Sequence, residues 1–174
     1  MPSVRSSVQT GTALYTPEQR LRRDASVWTL VQAILAPAQF VVFAVSLTLV
    51  LRYVLTGEGF AAATVSIVAK TLVLYLIMLT GSIWEKAVFG QYLFAPAFFW
   101  EDMVSMLVLT LHTAYLVALW TDSFSPHSLI ILALAAYVSY VVNATQFLWK
   151  LRKARLDGTK RQAVAESLPA GMGA

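Results

Sequence analysis

Trp84-Glu85-Lys86-Ala87-Val88-Phe89-Gly90-Gln91-Tyr92-Leu93-Phe94-Ala95-Pro96-Ala97-Phe98-Phe99-Trp100-Glu101-Asp102 sets three carboxylates and an ammonium between two long apolar runs. Charge crowded between such runs marks the ends of two membrane helices and the connection between them. Outward from it, residues 27–55, 60–84, 98–121 and 127–149 each supply the roughly 20 apolar residues that a bilayer crossing needs. Thr56-Gly57-Glu58-Gly59 and Asp122-Ser123-Phe124-Ser125-Pro126 are turns too short for anything but antiparallel neighbours. The fold expected is all-α and integral to the membrane, an antiparallel bundle of four transmembrane helices forming a single domain over residues 15–155. The tails 1–14 and 156–174 lack periodicity and are expected to be disordered.

Composition agrees: the 174 residues are 58% hydrophobic and only 13% charged, with a mean hydropathy of +0.67. Cysteine is absent, which removes disulfides, thiolate nucleophiles and Cys-ligated metal centres. The first apolar run is too long for the core of a signal peptide, so the first helix is expected to remain in the mature protein. The net charge of +4 comes from two basic blocks, Arg20-Leu21-Arg22-Arg23 and Lys150-Leu151-Arg152-Lys153-Ala154-Arg155, each abutting an apolar run. That placement suits anchors to anionic lipid and does not suit a nucleic-acid binder. An even number of crossings puts both blocks and Lys86 on one side, so the positive-inside rule predicts cytoplasmic termini, weakened slightly by Arg52 at the opposite end. Thr16-Pro17-Glu18-Gln19 has the form of a capping box with proline at the first helical position and predicts a short N-terminal interfacial helix. Pro37 predicts a kink in the first span, with Gln39 or a neighbour satisfying the freed carbonyl.

At 100° per residue Glu101, Ser105, Val108 and His112 share a face, with Asp102 and Thr113 beside them. Thr71, Tyr75, Met78, Ser82 and Glu85 form a second line, Ser139, Asn143 and Gln146 a third, and Gln32, Gln39 and Ser46 a fourth. Four polar stripes predict a polar cavity, gathering Trp28, Gln32, Glu85, Trp100, Glu101, Asp102, Asn143 and Gln146 at its cytoplasmic end. Three acids at the ends of apolar helices are costly to keep ionised and are candidates for proton chemistry. Against this, Asn, Gln and Ser serve as interhelical glue, and the dipole of the third span accounts for one acid at its start. His112 lies about 16 Å along its helix from Glu101. It is read as a partner of Thr71 or Tyr75, as a ligand to a macrocycle metal, or as a proton relay. Lys70 is expected to snorkel to the far interface. One buried histidine cannot make a bis-His haem, zinc or di-iron site.

These residues also carry a resemblance. Tyr15-Thr16-Pro17-Glu18-Gln19-Arg20, Arg22-Arg23-Asp24-Ala25-Ser26, Trp28-Thr29-Leu30-Val31-Gln32, the segment from Trp84 to Asp102, and Leu111-His112-Thr113-Ala114-Tyr115 together resemble the 3-vinyl bacteriochlorophyllide hydratases, over 15–155. The resemblance implies addition of water to the C3 vinyl group of a chlorophyllide or bacteriochlorophyllide in bacteriochlorophyll synthesis, in the bacterial cytoplasmic membrane and its photosynthetic extensions. No cofactor is implied beyond the magnesium that the substrate carries, and contact with neighbouring enzymes of the pathway is an expected partnership. Vinyl hydration needs an acid to protonate the terminal carbon and a base to accept the water's proton. Glu101 is expected as the acid, with Asp102 or Glu85 as the base. His112 is expected to ligate the substrate's magnesium, Tyr75, Asn143, Gln146, Trp84 and Trp100 to line its site, and Lys86 or Arg22 or Arg23 to bind its propionate. Phe94, Phe98 and Phe99 are read either as walls of that site or as a lipid-facing belt. The competing classes are a non-catalytic pigment-binding or assembly protein and a proton-coupled carrier, the latter disfavoured by the lack of an internal repeat.

Overall fold

The computed structural model describes residues 14–167 and contains, among them, five α-helices and no strand. They are α1 (Pro17–Ala25), α2 (Val27–Thr56), α3 (Phe60–Phe89), α4 (Phe99–Trp120) and α5 (Pro126–Ser167). Four stretches are long and apolar enough to cross a membrane: Val27–Thr56, Phe60–Phe89, Phe99–Trp120 and Pro126–Leu156. Leu55, Trp120, Val138 and many other large apolar side chains face outward. Such a surface is a liability in water and natural in lipid, and the chain is a multi-pass membrane protein.

The capping box forms as the sequence predicts, with the Gln19 N–H donating to Thr16 Oγ1 at 3.2 Å and the Thr16 N–H to Gln19 Oε1 at 2.9 Å. α1 buries none of its residues, and pairs Arg22 with Glu18 and Arg23 with Asp24. Ser26 ends α1 and caps α2. Gly57, in the left-handed region at φ 73, ends α2 where a side chain would be strained.

α2 packs along α3 and α4 along α5, giving two antiparallel hairpins. Val50, Ala63, Ile67, Tyr115, Ala133 and Tyr137 form the main core; alanines at such positions let helices approach closely. Hydrogen bonds sew the hairpins together: Ser46 Oγ with Tyr137 Oη at 2.5 Å, and Tyr75 Oη with Thr113 Oγ1 at 2.8 Å.

Three expectations are corrected. Gln39 does not satisfy the carbonyl freed by Pro37; it is buried and neither of its amide atoms has a partner among the described residues. α3 does not stop at Trp84 but runs to Phe89, so Glu85 and Lys86 are helical residues. α5 continues to Ser167, past the end expected at Arg155, because its polar continuation is rich in good helix formers, Lys, Arg, Ala, Gln and Glu. The rest of the two expected tails, 1–13 and 168–174, lies outside the described residues.

Candidate active site

Gly90, at φ 86, stops α3, and Lys86 Nζ donates to the Gly90 carbonyl at 2.8 Å with its ammonium over the Tyr92 ring. The chain then turns through Ala95-Pro96-Ala97-Phe98, closed by the Phe98 N–H on the Ala95 carbonyl at 2.7 Å, with proline at the second position. Two carboxylates pin this connection from opposite helices. Asp102 Oδ2 accepts from the Phe94 N–H at 2.7 Å, holding Phe94 at a positive φ of 59, and Glu85 Oε2 accepts from the Ala95 N–H at 3.2 Å. Both acids are buried, and they hold successive N–H groups of the same connection.

Glu101, one residue before Asp102 and so turned about 100° from it, faces α5 instead. Its Oε2 accepts from Lys150 Nζ at 2.5 Å, in a pair that is mostly buried on the Glu101 side. A groove of about 410 Å³ opens there, lined by Glu101, Thr145, Gln146, Trp149, Lys150 and Lys153. One turn deeper, Asn143 Nδ2 donates to Ser105 Oγ at 2.8 Å. Asn143 Oδ1 and Gln146 Oε1 are buried without a hydrogen-bond partner among the described residues. The structure thus brings Glu85 and Asp102 together on the α3 side of α4, and Glu101, Asn143 and Gln146 together on its α5 side. Thr145 and Trp149 have no role in the sequence reading, and Lys150 and Lys153 are read there only as lipid anchors, although Lys150 shares the face of Asn143 and Gln146 at seven and four residues' spacing.

Aromatic residues divide the same way. Phe98 is buried and Trp84 half-buried in a cluster with Tyr15, Val88, Phe89 and Phe147, while Phe94, Phe99 and Trp100 point outward against one another. Trp100 is 72% exposed, so it lines no cavity with Glu101. Trp84 Nε1 donates to Thr29 Oγ1 at 3.0 Å. Trp28 and Gln32 do not join the acids either: Gln32 Nε2 donates to Thr80 Oγ1 at 2.7 Å, and Trp28 is half-buried at the start of α2. Tyr15 stacks on Phe89 and lies under the Arg23 guanidinium, 4.8 Å from the ring centroid. Burial pushes the Tyr15 phenol up, with Arg23 partly opposing.

The middle of the bundle overturns two expectations. Lys70 does not snorkel; it is 0% exposed, with Nζ at 3.0 Å from His112 Nε2 and 4.2, 5.2 and 5.7 Å from the ring centroids of Tyr140, Tyr137 and Phe43. Three aromatic faces and an imidazole substitute for the interface it would otherwise seek. His112 is equally buried, and its Nδ1 donates to the Val108 carbonyl at 2.8 Å, which leaves Nε2 to accept from Lys70. Neither Thr71 nor Tyr75 is its partner: Thr71 donates to the Ile67 carbonyl, and Tyr75 meets Thr113. With both nitrogens engaged inside the bundle, the geometry does not offer His112 to a substrate's magnesium. Lys86, Arg22 and Arg23, expected to bind a propionate, are engaged as described above.

Fold and site define a four-span membrane protein with two buried carboxyl groups on one connection and a third, ion-paired with a lysine, at the same end of its bundle. The family model of the 2-vinyl bacteriochlorophyllide hydratases matches residues 15–153, and the chain belongs to that family. It is 70% identical over 145 residues to the 2-vinyl bacteriochlorophyllide hydratase of Cereibacter sphaeroides, covering 83% of this chain and 89% of the relative. It is 65% identical over 151 residues to the protein of the same name from Rhodobacter capsulatus, covering 87% and 88%. No solved structure matches.

Proposed function

We propose that this protein hydrates the vinyl group of a chlorophyllide or bacteriochlorophyllide to a 1-hydroxyethyl group in bacteriochlorophyll biosynthesis. The vinyl-bearing carbon is 3 in systematic macrocycle numbering and 2 in the older scheme of the family's name. The observation that carries the chemistry is the burial of Glu85 and Asp102 on one connection, at the same end of the bundle as the Glu101–Lys150 ion pair. The Glu85–Asp102 pair is the acid: its proton goes to the terminal vinyl carbon, the π electrons form the new C–H bond, and the inner carbon becomes a cation that the macrocycle delocalises. Glu101, ion-paired with Lys150, stabilises that cation and takes a proton from the incoming water. This division differs from the sequence expectation, in which Glu101 is the acid; its contact with Lys150 and its place beside the groove suit it to the base.

The groove beside Glu101 is the size of one edge of a tetrapyrrole, so the rest of the flat ring lies in the lipid against Trp149 and its neighbours. Lys150 and Lys153 at its rim suit the substrate's propionate. The reaction uses no resident cofactor, the magnesium being the substrate's own. The basic residues at the carboxyl-rich end support a cytoplasmic location for that end under the positive-inside rule, with α1 along the interface, and the hydratase reading supports the bacterial cytoplasmic membrane and its photosynthetic extensions.

The test is an assay of detergent-solubilised protein with 3-vinyl bacteriochlorophyllide in H2(18)O, followed by absorption and mass. Product carrying one labelled oxygen is expected from the wild type and not from Glu85→Gln. Pigment that binds and emerges without added water would overturn the hydratase reading in favour of pigment carriage.

A further inference from the structure

Asn143 and Gln146 stand three residues apart on α5, so their side chains are neighbours on the helix surface. The Asn143 amide is oriented by its Nδ2–Ser105 Oγ bond at 2.8 Å, which turns Oδ1 away from Ser105. Ser105 is buried one helical turn below Glu101, and Gln146 lines the groove with Glu101. Asn143 Oδ1 and Gln146 Oε1 are both buried, and no described residue donates to either. A buried acceptor left without a donor costs roughly 1–3 kcal/mol, so a pair of them beside a reactive carboxylate calls for a donor that arrives with the reaction.

The chemistry limits what that donor is. A magnesium-bearing macrocycle has no ring N–H, and its vinyl group has no polar hydrogen. Of the reactants of a hydration, water alone brings O–H donors, and of the products the new hydroxyl alone does. We infer that Asn143 and Gln146 hold the nucleophilic water, an inference that rests on the hydratase reading above. The water donates one hydrogen to Glu101 and the other to the amide oxygens of Asn143 and Gln146, which share it, and a lone pair is left for carbon. When that lone pair forms the C–O bond to the cationic inner carbon, the surplus proton leaves to Glu101, and the hydroxyl keeps the second hydrogen on an amide oxygen. Atoms balance: the vinyl group gains one proton from the Glu85–Asp102 pair and hydroxide from water, and solvent carries the proton on Glu101 back to the pair. Asn143 and Gln146 are thus the water-binding residues, and Ser105 is a positioning residue acting through Asn143.

Removing the water site leaves the protonation step intact, so the cation returns to alkene by losing a proton from its methyl group. In D2O that reversal leaves deuterium on the terminal vinyl carbon of recovered substrate. The experiment uses the full-length protein in detergent with 3-vinyl bacteriochlorophyllide in D2O, and mass spectrometry reads both hydrated product and deuterium in unreacted pigment. Gln146→Leu and Asn143→Leu are expected to lower hydration at least about ten-fold. The KM for pigment should change little, and deuterium exchange per hydration event should rise by a similar factor. Ser105→Ala is expected to move the same ratio in the same direction by less, and Gln146→Glu, which keeps an acceptor oxygen, to bring it back toward wild type. Unchanged hydration in both leucine variants overturns the inference. So does a parallel fall of hydration and exchange in every variant, the mark of a general packing defect. A wild-type protein that neither hydrates nor exchanges fails the hydratase reading itself, and the two failures are thereby told apart.

Discussion

Two polar regions of this bundle are buried to a similar degree and are built on opposite principles. In the middle, Lys70 and His112 satisfy each other: the lysine donates to Nε2, the ring's other nitrogen donates to the Val108 carbonyl, and three aromatic rings close around them. At the end, the acids are satisfied only in part. Glu85 and Asp102 spend one oxygen each on the loop, Glu101 looks onto a groove, and two amide oxygens have no donor. A saturated, sealed polar pair specifies how helices pack, whereas a polar cluster with unused acceptors and an opening has capacity for a reactant.

The sharpest way to break this contrast is to neutralise the pair at the end. Glu85→Gln and Asp102→Asn each keep an oxygen for the loop N–H, so the connection holds, but remove the transferable proton. Turnover is expected to fall about 10²–10⁴-fold, the range for loss of a general acid. Single-turnover measurement with pigment in excess of its KM checks this. Activity within a few-fold of wild type in both variants would leave Glu101 as the better acid.

The corresponding test of the middle predicts a fold effect without a chemical one. His112→Ala strips Lys70 of its only hydrogen-bond acceptor among the described residues and is expected to cost about 3–5 kcal/mol, as for a broken buried pair. Replacing both partners, Lys70→Met with His112→Leu, should return most of that stability because nothing polar is then left unpaired. Denaturant titration in mixed micelles reads the stabilities, and pigment affinity should be unchanged in the double variant. Loss of pigment binding there, with the fold intact, would restore His112 as a ligand to the substrate's magnesium.

How much of this was legible in the sequence follows the same division. The four spans were, because length and apolarity alone decide a crossing, and so was the gathering of Glu85, Glu101 and Asp102, because they sit at adjoining helix ends. The pairing within that set was not. Whether Asp102 or Glu101 turns toward α3 depends on the rotation of α4, which is fixed by packing of Val108, Tyr115 and Ala118 against partners far away in sequence. Lys70 was misread for a related reason: its cage is assembled from Phe43 on α2 and Tyr137 and Tyr140 on α5, and no local pattern around Lys70 announces it. The α3 line through Tyr75, Met78 and Ser82 was displaced too, since the buried side of α3 runs through Lys70, Thr71 and Leu74.

A milder comparison separates the two aromatic groups at the carboxyl-rich end. Trp84 donates its indole N–H to Thr29 and touches Phe89 and Phe98 edge-on, so Trp84→Ala is expected to cost about 1–3 kcal/mol. Trp100→Ala, on the outer group, should stay within about 0.5 kcal/mol in detergent. Equal losses would mean that the outer aromatics pack against something the bundle alone does not provide.

The smallest expected effect concerns the segment that closes this end. Tyr15 is buried against Phe89 and Phe98, and burial sets its phenol above the ordinary value of 10.0. A group whose folded-state value is raised contributes fully below its unfolded value and loses that contribution as pH climbs past it. Docking of the Tyr15 segment on α3 should therefore be independent of pH up to about 10 and weaken above it, because the undocked phenol ionises first. Tyr15→Phe keeps the ring on Phe89 and removes the ionisation, so its docking should stay level through the same range. Tyrosinate absorbance of wild type minus Tyr15→Phe isolates this phenol, and Trp84 fluorescence reports the docking through the shared cluster. A Tyr15 component titrating below 10 would mean that the Arg23 guanidinium over the ring outweighs burial, and the segment would then tighten with rising pH instead of loosening.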